Sequence, residues 1–145
     1  MRIKTGFSAN LSKKVSVDEN CINRIEKLLE LSENNKFAGL VITLLRVDNP
    51  FSAGNQYKIL ELIREDCGKN VPKGLLPKES GFTISDFTHS LNDPYGVGIK
   101  FSRHSLKSGD VANPMSIRQC QEYLWELMDN WIDFRTSTTN EDTHT

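Results

Sequence analysis

The chain has 145 residues, of which 37% are hydrophobic and 26% charged, and its formal net charge is -1. This balance excludes a disordered chain and a globally basic nucleic-acid binder, so any nucleic-acid site must be a local patch. No apolar run approaches the about 18 residues that a membrane span needs, so we expect no membrane association. Three scattered cysteines without CxxC spacing favour a reducing, cytoplasmic location over a disulfide framework.

The first third of the chain predicts strand, helix and strand. A weakly alternating segment at 2–7 is interpreted as a strand. Apolar residues then recur at helical spacing over 19–35, with Asp18 as the expected N-cap. The run AGLVITLLRV at 38–47 is apolar and rich in β-branched residues, which predicts a strand buried on both faces.

A polar loop, DNPFSAGNQ, follows this run and leads into a second helix. The helix is expected from about Asn55 to Cys67, and Gly68 stands where a capping glycine belongs. We expect the loop to end the strand and cap the helix; a ligand contact through Arg46, Asn55 or Gln56 is the alternative.

The remainder predicts two helices around a third strand. TISDFTHSL at 83–91 is expected to be a short helix, and the alternation of VGIKFS at 97–102 predicts a strand. The last helix begins with an S-x-x-Q capping box and covers 116–134. The order β-α-β-α-α-β-α predicts an α/β or α+β fold in which about four helices cover a small mixed sheet. We expect a single domain over 1–135 and a polar, flexible tail over 136–145.

No catalytic or metal-binding constellation is evident. The histidines have no acidic or cysteine neighbour at ligand spacing, and no serine lies in a G-x-S-x-G motif. Glu61, Glu65 and Asp66 are interpreted as an exposed acidic face of the second helix. We therefore predict no enzymatic activity, no metal and no cofactor.

Basic residues interleaved with aromatic residues suggest a nucleic-acid site. Such a combination supplies phosphate contacts and stacking surfaces for bases, although a solvated loop can also carry lysines. The predicted nucleic-acid-binding residues are Lys100, Arg103, His104, Lys107, Arg46 and Tyr57.

The last helix suggests a different kind of site. Trp125 lies beside the apolar stripe and borders an acidic side that includes Glu122 and Asp129. We expect Trp125 to be partly exposed, either as a contact for a protein partner or in a homodimer.

The chain also resembles phage recombination accessory proteins of the NinB (Orf) type. The resemblance covers most of 20–134 and rests on GLVITLL, then FSAGNQ, then YKILELI, and finally NPMSIRQCQEYLWELMDNWIDF. It implies single-stranded DNA binding and assistance in loading a recombinase.

Two functions follow from these observations. The first is a non-enzymatic accessory protein of phage or mobile-element recombination that binds single-stranded nucleic acid. The alternative is a cytosolic protein-binding inhibitor of the immunity or anti-defence type, which would suit the acidic, aromatic last helix. A basic surface would favour the first function, and an acidic aromatic surface would favour the second.

Overall fold

The computed structural model of the protein describes residues 19–92 and 113–143. These residues form five α-helices, and the described part of the chain contains no strand. The helices are α1 (Glu19–Ser32), α2 (Lys36–Leu45), α3 (Ala53–Asp66), α4 (Ile84–Asn92) and α5 (Ile117–Thr143), with a 3₁₀ turn at Lys73–Leu75 between α3 and α4.

The expected mixed sheet is therefore wrong for the described residues, which are all-α. The error lies in the run at 38–47, which the structure places in α2 and the turn after it. The predicted strands at 2–7 and 97–102, like the proposed cap Asp18, lie outside the described residues.

The helical state of α2 is fixed by its first turn and by its neighbours. The Asn35 side-chain oxygen accepts hydrogen bonds from the backbone N–H groups of Phe37 (2.9 Å) and Ala38 (3.1 Å). This N-cap satisfies two donors that a helix start leaves without partners. Ala38 and Val41 are then fully buried, and α2 contacts both α1 and α3. Tertiary packing thus overrides the strand preference of the β-branched residues in α2.

The other helices follow the sequence closely. Ser52 caps α3 by accepting a hydrogen bond from the Asn55 N–H at 3.3 Å, and Gly68 has a φ of 84° just after the helix, as expected for a capping glycine. Thr83 and Asp86 form reciprocal side-chain-to-backbone hydrogen bonds at the start of α4. The capping box before α5 is also confirmed, and α5 continues to Thr143, through most of the segment predicted as a polar tail.

α5 supplies much of the hydrophobic core. It contacts α1, α3, α4 and the 3₁₀ turn. The apolar stripe that the sequence predicts for this helix is buried except for Ile117, which is half-buried; its other members are Cys120, Leu124, Leu127, Met128 and Trp131. The core side chains from this helix and the residues just before it are Met115, Cys120, Tyr123, Leu124, Leu127, Met128, Trp131 and Ile132.

Asp66 connects three helices through one carboxylate. One oxygen accepts a hydrogen bond from the Asn35 side-chain amide (3.0 Å), and the other accepts from the Trp131 indole (2.8 Å) and from Arg135 Nε. The Asp66 side chain is 9% exposed, so it is not part of a solvated acidic face as the sequence suggested. Its position ties the start of α2 and the end of α3 to α5.

Candidate functional site

A polar groove of about 780 Å³ runs between α1 and α5. The predicted partner-binding residues Trp125, Glu122 and Asp129 all line it. α1 contributes Asn23, Arg24 and Lys27, which belong to its solvated face. The remaining lining residues come from α5 and are Glu126, Asn130, Ile132 and Asp133.

Trp125 is the aromatic side chain of the groove. It is half-buried, as predicted, and its ring packs against Phe51 with the ring centroids 5.5 Å apart and the planes inclined by 47°. Phe51 is held in turn by Gln56, whose side-chain amide donates a 2.8 Å hydrogen bond to the Phe51 carbonyl. Gln56 is fully buried, so this hydrogen bond anchors the loop that carries Phe51, and with it one neighbour of the Trp125 ring.

Ion pairs connect the two walls of the groove. Arg24 Nε lies 2.6 Å from an Asp129 carboxylate oxygen, and Lys27 Nζ lies 3.5 Å from an Asp133 oxygen. Both pairs are partly exposed, so each contributes at most about 1 kcal/mol to stability.

The groove is acidic overall. Four carboxylates and two cations line it, and Glu126 makes no ion pair with any residue in the described part of the chain. Burial raises the pKa of the Asp129 carboxyl, and the Asp133 carboxylate adds to this effect, although the Arg24 guanidinium opposes it.

The loop before α3 has a structural explanation. The Asn55 side-chain amide donates hydrogen bonds to the backbone carbonyls of Leu44 (2.9 Å) and Pro50 (2.6 Å). One amide thereby closes the turn between α2 and α3, while Gln56 holds Phe51. The side chains of Asn55 and Gln56 are thus bonded to backbone groups, and of the three predicted ligand-contact residues Arg46 alone is exposed.

Four of the six predicted nucleic-acid-binding residues lie outside the described part of the chain; these are Lys100, Arg103, His104 and Lys107. Of the other two, Arg46 is exposed after α2, whereas Tyr57 is half-buried against the core.

The thiols and acids offer no metal or nucleophilic site within 22–92 and 113–137. Cys67 and Cys120 are free thiols. Burial raises the pKa of both, that of Cys120 to about 12, so neither forms a thiolate readily. In the same ranges, no group of three His, Cys, Asp or Glu residues is placed to hold a metal ion.

Comparisons of the chain with protein-family models, curated proteins and solved structures found no significant match. The resemblance to NinB-type proteins therefore stays a prediction. None of the described helices combines the length and the apolar character that crossing a membrane requires.

The sequence predicted residues that α5 contributes to this site, but not those from α1 or from the loop before α3. The signal for Arg24 and Lys27 was the charged face of α1, which periodicity alone describes as solvated. Phe51 carried no signal, because its contact with Trp125 joins a loop to a helix far away in the sequence.

Proposed function

We propose that the protein is a non-enzymatic binding module whose α1–α5 groove takes a basic segment of a partner protein. The observation that carries the proposal is the placement of half-buried Trp125 among an excess of carboxylates. Aromatic side chains with a fixed orientation are typical anchors of protein interfaces, because they bury a large area at little entropic cost.

The charge of the groove selects the kind of segment. Glu126 is exposed without an ion-pair partner in the described residues, and Glu122 pairs only with the exposed Arg118 of its own helix, at 3.5 Å. Lys or Arg side chains of a partner can approach these carboxylates without breaking a contact between α1 and α5. An apolar side chain of the same segment would pack on Trp125.

The lining of the groove favours a segment over a small molecule. Polar side chains line both walls. Pockets for small ligands are mostly apolar, whereas a polar groove with one aromatic residue suits a peptide or a helix. We place this binding in the cytoplasm, since the free thiols of Cys67 and Cys120 fit a reducing compartment.

Selection from displayed random peptides tests the proposal. The full chain is immobilised at low salt, and a library of 12-residue peptides is selected on it. We expect the selected peptides to be enriched in Lys and Arg together with one large apolar residue. Affinities of synthetic peptides that carry a fluorescein label follow from fluorescence anisotropy, which reports binding to the unmodified chain and to variants at Trp125 alike.

Charge reversal provides the control. Glu122→Lys combined with Glu126→Lys should weaken peptide binding by about tenfold or more, and Trp125→Ala should do the same. The matched control reverses two exposed carboxylates outside the groove, Glu30→Lys with Glu79→Lys, and should leave the affinity unchanged. Selected peptides without a basic bias, or equal effects of the two double variants, would contradict the proposal.

A further inference from the structure

A second groove lies between α2 and α3 and has a volume of about 650 Å³. Its apolar lining is formed by Leu40, Leu44 and Leu62. Leu40 is 47% exposed, although α2 has ten residues of which all but Lys36, Gly39 and Thr43 carry apolar side chains. A helix that is apolar on nearly all sides is normally covered on all sides, so this face indicates an interaction surface.

Three of the residues that line the groove form a stripe along α3. Lys58, Leu62 and Glu65 lie at positions i, i+4 and i+7 of this helix. This spacing places them within about 60° of the helical wheel and about 10 Å from end to end. The stripe itself is positive at one end, apolar in the middle and negative at the other end. The other charged lining residues are Glu61 and Arg64, which lie beside the stripe on the helical wheel, and Lys69, which follows α3.

Neither charge of this stripe is satisfied within the described part of the chain. Lys58 and Glu65 are both exposed and form no ion pair or side-chain hydrogen bond there. The nearby Asp66 is bonded to Asn35, Trp131 and Arg135, so it does not compete for Lys58.

We propose that a second copy of this chain covers the groove, with the two α3 helices antiparallel about a two-fold axis at Leu62. A two-fold axis reverses the order of the stripe. Lys58 of each copy then faces Glu65 of the other, and Leu62 faces Leu62 beside the exposed Leu40 side chains. A two-fold interface requires a surface that is complementary to itself, and a stripe of opposite charge about a central leucine has this property.

This interface is separate from the α1–α5 groove, with which it shares no lining residue. Loss of the dimer therefore leaves peptide binding intact, and loss of peptide binding leaves the dimer intact. The two proposals fail independently.

The test is sedimentation equilibrium of the full chain and of charge-reversed variants over a range of concentrations. The unmodified chain should dimerise reversibly, with a dissociation constant that rises with salt. Lys58→Glu alone and Glu65→Lys alone should each weaken the dimer by about tenfold or more, because each places two like-charged pairs across the axis. Circular dichroism should show both variants folded, since both positions are exposed.

The decisive experiment mixes the two single variants. In a mixed pair each reversed charge meets its opposite, so the heterodimer should form with the affinity of the unmodified chain. Combining both substitutions in one chain should likewise restore the homodimer. The matched controls Lys73→Glu and Glu79→Lys reverse exposed charges off this face and should leave dimerisation unchanged.

A second variant tests the apolar centre. Leu40→Glu removes an exposed leucine that is not part of the core, so the monomer should remain folded while the dimer is lost. A chain that is monomeric at all concentrations would overturn the proposal. So would a dimer that is insensitive to these substitutions, or single variants that do not recover on mixing.

Discussion

Removing the Asp66 carboxylate should destabilise the protein more than removing any exposed acid. Three side-chain donors converge on this group, from Asn35, Trp131 and Arg135. Asp66→Ala removes the carboxylate that accepts these three hydrogen bonds. Asn35 cannot compensate by turning its amide, because its oxygen already caps the first turn of α2.

The magnitude follows from the burial of each partner. Removing one member of a buried ion pair costs about 3–5 kcal/mol. Arg135 is 26% exposed and keeps a hydrogen bond to the Asp66 backbone carbonyl, so its share of this cost is reduced by water and by that bond. The Trp131 indole is fully buried, and leaving its N–H without an acceptor costs about 1–3 kcal/mol. We expect a total loss of about 3 kcal/mol, a large part of the about 5–15 kcal/mol that a domain possesses.

Urea unfolding followed by circular dichroism measures this loss. The midpoint should fall while the slope with denaturant stays constant, since the surface exposed on unfolding is unchanged. Glu30→Ala, which removes an exposed helical carboxylate, serves as the control and should change stability by less than about 0.5 kcal/mol. A double-mutant cycle with Trp131→Phe should give a coupling energy of about 1 kcal/mol or more. A loss below about 1 kcal/mol for Asp66→Ala, or no coupling, would refute the reasoning.

Three further predictions concern the loop between α2 and α3, the buried face of α5 and the stability of the protein at alkaline pH. Asn55→Ala should cost about 1–3 kcal/mol in urea unfolding, because two loop carbonyls lose their donor. Leu127→Ala truncates a fully buried side chain and should cost about 2–5 kcal/mol of stability, whereas Trp125→Ala should cost much less. Thermal melts in which Trp125→Ala is the more destabilising variant would contradict the assignment of Leu127, and not Trp125, to the buried face of α5. Burial raises the pKa of Tyr123 from 10.0 to about 12, so the folded state holds a proton that the unfolded state releases, and stability should fall as pH rises from about 10 to 12. Tyr123→Phe should flatten this alkaline fall in unfolding free energy and cost little at neutral pH, because the buried hydroxyl has no hydrogen-bond partner in the described structure.

The elements that the sequence predicted well are those whose determinants are local. The capping box of Ser116 and Gln119 and the glycine after α3 each involve residues within a few positions of one another. The stripe of α5 was readable because its apolar residues recur at helical spacing and its other face is polar.

The failure at α2 has the opposite cause. An element that is apolar on nearly every side has no periodicity, so a strand and a helix look alike. The deciding residue was Asn35, which lies before the run and caps it through two backbone groups. The prediction placed Asn35 at the end of the preceding helix, and the β-branched residues Val41, Ile42 and Thr43 favoured a strand.

The candidate groove was half predictable for a related reason. Trp125, Glu122 and Asp129 share one helix, so their proximity follows from their spacing. The pairing of Arg24 with Asp129 and the contact of Phe51 with Trp125 depend on how distant helices pack, and no local pattern encodes this.

The concentration of core side chains on α5 has a consequence for synthesis on the ribosome. Successive helices contact each other as they emerge, since α1 packs on α2, α2 on α3, and α3 on α4. Their shared interior nevertheless lacks Leu124, Leu127, Met128 and Trp131 until translation has passed α5. Until then the apolar faces of α1, α3 and α4 lack the helix that packs on them, so we expect the nascent chain to be a substrate for chaperones that bind hydrophobic segments. We also expect the shared core to close only when α5 has left the ribosome and docked.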